Sequence, residues 1–221
     1  MDKLAYLTMF DLFQDLSASE QAHLDYITHM STTDAGRIFY TPGETGEVLF
    51  LLKKGRVNLY RMTSDGKKII VATLEPGAVF GEMAIIGSGM HNTFAEAADD
   101  CLLCVMSRHD VERMVVQTPK VGLRLIEAMG RRLQEVETRL EEVAFKSIPA
   151  RLAGLLLRLS EQQNSTLVTG YTHQDLAEML GTYRETTTQS LNQFQGQGLI
   201  EIGRKRIKLL DSAGLQDIAD A

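Results

Sequence analysis

THQDLAEMLGTYRETTTQSLNQF, from Thr172 to Phe194, holds two short helical patterns around one glycine. Thr172 is placed to cap the first helix, with Asp175 three residues on to complete a capping box. Leu176, Ala177, Met179 and Leu180 supply its apolar side, and Gly181 permits the turn. Thr182 is expected to cap the second helix, with Glu185 at the same offset. Thr187, Leu191 and Phe194 fall at i, i+4 and i+7 and face inward. That leaves Arg184, Glu185, Thr188 and Gln189 on the outer face of its first two turns. A helix-turn-helix lays such a face in the major groove of DNA, although a plain helical hairpin satisfies the same pattern.

The next residues favour the first reading. LIEIGRKRIKLLD, Leu199 to Asp211, reads as a two-stranded hairpin turning at Gly203. Arg204, Lys205, Arg206 and Lys208 gather at its tip, where a wing meets phosphates. Charge is distributed to match. Residues 1–118 carry a net −6, 119–146 +1, 147–210 +2 and the last eleven −3. The mildly basic segment inside an acidic chain fits a nucleic-acid module joined to a domain with another task.

Before this module, residues 1–30 are broadly helical, anchored by Phe10, Leu12, Phe13, Leu16, Leu24 and Ile27, with Ser17 and Ser19 at the start of a second short helix. From Gly36 to Ser107, seven short runs of strand formers alternate with Pro42-Gly43, Lys54-Gly55, Asp65-Gly66 and Pro76-Gly77, the texture of an antiparallel roll or barrel. Arg108 to Gln117 reads as a short helix. Thr118-Pro119 then opens a long one, with Ile126, Met129, Leu133, Val136, Leu140 and Val143 spaced 3, 4, 3, 4, 3. A 3.5-residue repeat flanked by charge is a self-pairing seam; the alternative is a single core helix packed on the roll. Ser147 and Pro149 break the rod and begin another helix. The expected division is 1–118 for the roll, 119–146 for the dimerisation helix and 147–221 for the DNA-binding part.

No apolar run is long enough to span a membrane and MDKLAYLTMF is not a signal peptide, so a cytoplasmic protein with no membrane partner is expected. Cys101 and Cys104 lie in an apolar strand, where their spacing turns them to opposite faces. They read as buried structural thiols rather than as a metal or redox pair.

Taken in order, FGEMAI (Phe80 to Ile86), AMGRRLQ (Ala128 to Gln134), LAEMLGTYRETTTQSL (Leu176 to Leu191) and QGLIEI (Gln197 to Ile202) resemble the cyclic-AMP receptor protein and fumarate/nitrate reduction regulator family of bacterial transcription factors. The resemblance implies an α+β fold: an N-terminal antiparallel roll of the cyclic-nucleotide-binding kind, a long dimerisation helix and a C-terminal winged helix-turn-helix. It also implies a homodimer on a palindromic, TGTGA-like operator, acting as an activator with RNA polymerase. Arg184 and Glu185 match the family's base-reading pair, suited to guanine and cytosine edges; Glu185 has the alternative of only capping its helix. Gln189 stands where cyclic-AMP receptors carry a third Arg. Thr182, Thr188, Arg204, Lys205 and Arg206 complete the expected DNA surface.

For the effector pocket the resemblance points to Gly81, Glu82, Met83, Asn92, Thr93, Val136 and Glu137. Cyclic-AMP-binding members hold the phosphate with an Arg followed by Ser or Thr, and the adenine with hydroxyls on the long helix. Here these positions read Asn92, Thr93, Val136 and Glu137. Asn92 offers no charge-assisted fork to an anion. Cyclic AMP, the cofactor the family suggests, is therefore unmatched, and operator binding without it, or with another effector, is expected. Phe94 or Glu96 would fill the vacated volume, and Arg131 or Arg132 is the reserve contact should a phosphate bind after all. Iron–sulfur members need a cysteine cluster, and residues 1–100 contain none. For haem, His91 is the lone candidate in the roll, and it reads better as a surface or hydrogen-bonding histidine. A rival class, a cupin-like metal-dependent enzyme, needs about three ligands converging in the barrel, and Gly36 to Ser107 offers His91 alone.

Overall fold

The alternation of apolar and polar residues between Gly36 and Ser107 resolves into two four-stranded sheets. The computed structural model describes Leu7 and residues 10–45, 48–82 and 91–221. One sheet has the order β1-β8-β3-β6, built from β1 (His29–Thr33), β3 (Val48–Lys54), β6 (Val79–Phe80) and β8 (Cys101–Ser107). The other runs β2-β7-β4-β5, from β2 (Ile38–Tyr40), β4 (Val57–Met62), β5 (Lys68–Leu74) and β7 (Phe94–Ala97). Pairing is antiparallel, with Leu51 opposite Cys104 and Tyr60 opposite Phe94. All seven expected strands form. The eighth, β1, lies where a helix was expected to run on to residue 30: HMSTT is mostly exposed, and its place is fixed by pairing with β8.

Each central strand feeds two cores, because neighbouring side chains leave opposite faces. On β8, Cys101 and Leu103 join Tyr40, Leu52, Val57, Leu59 and Phe80. Cys104 and Met106 join the second core with Leu49, Leu51, Phe10 and Phe13. Both thiols are buried and free, as their spacing indicated. That second core is closed by α1 (Ala18–Ile27), opened by a Ser17–Glu20 capping box, and by α2 (Arg108–Gln117). The N-terminal anchors Phe10, Leu12, Phe13, Leu16, Leu24 and Ile27 are all buried.

α3 (Pro119–Phe145) is the long helix. Ser147 caps α4 (Ile148–Gln162), which carries Pro149 in its first turn, where a missing N–H is harmless. Leu152, Ala153, Leu155, Leu156 and Leu159 of α4 form a core with Leu176, Leu191, Phe194, Ile207 and Leu215. Each such leucine contributes about 1.5–3 kcal/mol by leaving water. The chain divides into two compact units, Met1–Arg61 with Val71–Leu133, and Met62–Ile70 with Gln134–Ala221. The division runs through α3.

Candidate nucleic-acid interface and effector pocket

The first helix of the helix-turn-helix, α5 (His173–Leu180), begins as its sequence indicates. The Thr172 N–H donates to Asp175 Oδ2 at 2.7 Å, and the Asp175 N–H donates to Thr172 Oγ1 at 3.1 Å. Gly181 ends the helix in the left-handed region at φ 67°, a conformation that would strain a residue bearing a Cβ. The N–H of Thr182 then bonds to the carbonyl of Ala177 at 2.9 Å.

The expectation for the second helix is corrected: α6 (Arg184–Gly196) starts one residue later, with Tyr183 as its N-cap and no side-chain cap bond. Glu185 consequently sits at the second helical position, off the capping-box offset. There its carboxylate suits the positive end of the helix dipole. Thr187, Leu191 and Phe194 are fully buried, and Arg184, Glu185 and Gln189 are exposed. Thr188 is half-buried, its hydroxyl 3.0 Å from His173 Nδ1, which removes it from the freely presented set. Tyr183, 61% exposed at the start of α6, joins that set. Its signal in the sequence was an aromatic residue followed at i+3 and i+4 by Thr186 and Thr187, with no apolar partner further along the helix at that spacing.

Three cations meet the last carbonyls of α5. Arg139 of α3 donates to Met179 O at 2.7 Å, Arg151 of α4 to Leu180 O, and Lys67 to Gly181 O at 3.2 Å. Lys67 also lies 4.1 Å from the centre of the Tyr183 ring. Carbonyls at a helix C-terminus carry the negative end of the dipole, and charged donors satisfy them strongly.

The wing is a three-stranded sheet of order β10-β11-β9, from β9 (Leu167–Thr169), β10 (Ile200–Gly203) and β11 (Arg206–Leu209). β9 is an addition to the two-stranded expectation; Leu-Val-Thr between Asn164-Ser165 and Gly170 was its signal. The turn is also one step later than expected. Gly203 pairs with Arg206, and Arg204-Lys205 form the turn, with Lys205 at φ 52°. Arg204, Lys205, Arg206 and Lys208 are exposed, and among the described residues neither they nor Arg184 has a carboxylate partner.

In the roll, Gly81, Glu82 and Thr93 gather around Tyr40. A Cβ on Gly81 would stand 2.6 Å from the carbonyl oxygen of Val48, and its φ is 91°, so no other residue fits. Glu82 is 4% exposed; Oε1 accepts from Arg132 at 2.7 Å, and Oε2 is buried with no hydrogen-bond partner among the described residues. Burial pushes the Glu82 carboxyl up, a shift that the guanidinium of Arg132 opposes. The Tyr40 phenol is likewise pushed up, first by burial and then by the Glu82 charge. His91 is 7% exposed and stacked on Tyr40 at 3.5 Å and 5°, which removes the surface half of the surface-or-hydrogen-bonding expectation. Its imidazole is pushed down by burial, against the pull of Glu44.

Asn92 is exposed, and Met83 lies outside the described residues. Val136 and Glu137 are exposed on α3, in the second unit. Phe94 does not fill the pocket, because it stacks on Tyr60 at 4.9 Å; Glu96 lies between β2 and β4, opposite Ile38 and Asn58. Among the described residues, no group of three or more His, Cys, Asp or Glu is placed to hold a metal ion.

The seam of α3 is left open by its own chain. Ile126, Leu133, Val136, Leu140 and Val143 are 66, 59, 46, 67 and 52% exposed, and of α3 only Val121 and Leu125 are buried. The single-core-helix alternative is therefore overturned. No helix of the described residues is long and apolar enough to cross a membrane.

Comparison with known proteins agrees with both halves. Residues 32–118 match the cyclic nucleotide-binding domain family and residues 150–218 the Crp-like helix-turn-helix domain family. A cyclic AMP receptor protein from Thermus thermophilus is 31% identical over 209 residues, 94% of this chain and 96% of that one. A CRP-like cAMP-activated global transcriptional regulator from Mycobacterium tuberculosis is 25% identical over 97% of this chain and 98% of its own. Among solved structures, a CRP/FNR-family transcriptional regulator from Thermus thermophilus has a TM-score of 0.75 at 27% identity, covering 87% of this chain and 99% of that one. One from Eubacterium rectale reaches 0.82 at 24% identity, covering 96% and 99%, a likeness of fold.

Proposed function

The chain belongs to the cyclic-AMP receptor protein and fumarate/nitrate reduction regulator family of transcription regulators, and from that premise we propose that it acts as a homodimer on a palindromic operator. The observation that carries this reading is the open seam of α3, whose apolar residues repeat every 3.5 positions and stay exposed in the single chain. A second copy paired in parallel along α3 covers that stripe. It also sets two α6 helices about one DNA turn apart, roughly 34 Å, each with Arg184, Glu185 and Gln189 toward base edges and a wing toward phosphates. Thr182 and Thr188, both half-buried, complete the proposed DNA-facing set. In this reading residues 1–118 form the regulatory roll, 119–146 the dimerisation helix and 147–221 the DNA-binding domain.

The half-site is TGTGA-like, with relaxed preference at the step read by Gln189, and the regulator is a cytoplasmic activator that engages RNA polymerase. The cupin-like enzyme alternative finds no support, because the relatives are transcription regulators. Sedimentation combined with gel-shift titration of a palindromic TGTGA duplex tests the proposal. A dimer with sequence-selective binding is expected; a monomer, or equal affinity for scrambled DNA, would refute it.

The relatives named for cyclic AMP raise the question of the effector. Asn92 in place of an Arg, with Val136 and Glu137 on α3, supports an operator affinity that does not depend on cyclic AMP.

A further inference from the structure

Two residues of the pocket that the resemblance implies, Gly81 and Thr93, meet the chain's own Tyr40. Tyr40 closes β2 with its side chain buried, 6% exposed. One face of its ring lies on the His91 imidazole at 3.5 Å. The ring is also packed among Phe50 and Phe80, with centroids 6.5 and 6.3 Å away. The stack is held by the backbone. The Gly43 N–H donates to His91 O, and the His91 N–H donates to Glu44 O, both at 2.9 Å, which ties His91 to the turn immediately after Tyr40. At its polar end, the Tyr40 hydroxyl faces the Gly81 N–H and the Thr93 hydroxyl. Thr93 stands where the resemblance implies a phosphate-holding hydroxyl, and Gly81 is among the pocket residues it implies. Arg132, the reserve partner for an anion, donates to Glu82 Oε1 at 2.7 Å.

We propose that Tyr40 fills the effector pocket of the roll from within, so that the pocket is closed to cyclic nucleotides. The inference rests on the reading of the chain as a family regulator, and it replaces Phe94 and Glu96 with Tyr40 as the occupant. An entering cyclic nucleotide must unstack the Tyr40 ring from His91 and recover the Gly81 amide and the Thr93 hydroxyl from the phenol. Asn92, being neutral and exposed, offers no compensation.

The test separates the plug from the missing arginine. Full-length wild type, Asn92→Arg, Tyr40→Phe and the double variant Tyr40→Ala/Asn92→Arg are each titrated with cyclic AMP by calorimetry, up to about 1 mM, a bound for weak binding. The expected result is no binding by wild type or Tyr40→Phe, and at least about tenfold tighter binding by the double variant than by Asn92→Arg alone. Equal affinities of the double variant and Asn92→Arg overturn the proposal, as does low-micromolar binding by wild type. Tyr40→Leu replaces Tyr40→Ala in the comparison should thermal melting show that the alanine variant is unfolded. Operator binding by the same wild-type preparation is measured separately, and its loss would count against the family reading, not against the plug.

Discussion

The guanidinium of Arg139, on the long helix, donates to the carbonyl of Met179 at 2.7 Å and so closes the end of the first DNA-binding helix. Arg151 and Lys67 take the next two carbonyls. The three donors come from separate stretches of chain, and they hold the turn from which the recognition helix departs.

Removing Arg139 therefore has a local cost. Arg139→Ala leaves Met179 O without its charged donor, and hydrogen bonds to charged groups contribute about 1.5–3 kcal/mol. A loss of that size is expected in urea unfolding, accompanied by weaker operator binding. A change below about 0.5 kcal/mol, the level of an ordinary surface substitution, would mean that Arg151 and Lys67 suffice.

The seam makes a sharper prediction. Leu133 is 59% exposed in the single chain but central in the proposed pairing. Leu133→Arg would place two like charges in one apolar seam, costing several kcal/mol. Sedimentation velocity should then show monomers, and operator binding should disappear with them. A dimer that survives the substitution would place the interface elsewhere.

Base reading and phosphate contact are separable at the DNA surface. Arg184→Ala is expected to lose about 1–3 kcal/mol on the specific site and little on random DNA. Lys205→Ala should weaken both alike and reduce the salt slope by about one. Uniform loss across sequences for Arg184→Ala would move it to the phosphate class.

How much of this was legible in the sequence follows from the range of the interactions involved. The Thr172–Asp175 box and the Ser147 cap were readable because each is closed by residues three apart. The start of α6 was misplaced by one residue because Tyr183, a residue type that seldom caps, takes the N-cap without any side-chain bond. The wing turn was assigned to Gly203, the obvious glycine, while Lys205 takes the positive φ instead. β1 is a polar strand with no alternation of its own, so only its pairing to β8 identifies it. The Tyr40–His91 stack joins parts of the roll far apart in the chain, and nothing local in either segment announces it.

The last prediction concerns pH, where Glu82 and His91 act in opposite directions. Burial raises the Glu82 carboxyl above its usual range, with Arg132 opposing and the Tyr40 phenol adjacent. Between the usual Glu value, about 4.3, and the raised one, the folded state holds a proton that the unfolded state has lost. The Glu82 contribution to stability is therefore full below the usual value and is lost as pH rises through the raised one. Burial lowers the His91 imidazole, with Glu44 opposing. Its contribution is full above the usual His value, about 6.5, and is lost as pH falls through the lowered one, because there the unfolded state binds the proton first. Glu82→Gln should flatten the decline in stability on the alkaline side of the Glu range. His91→Phe, which keeps an aromatic ring on Tyr40, should flatten the decline below the His range. Urea midpoints for wild type and both variants at several pH values check the two together. An unchanged slope in Glu82→Gln would mean that Arg132 holds the carboxylate charged throughout, with burial the weaker influence.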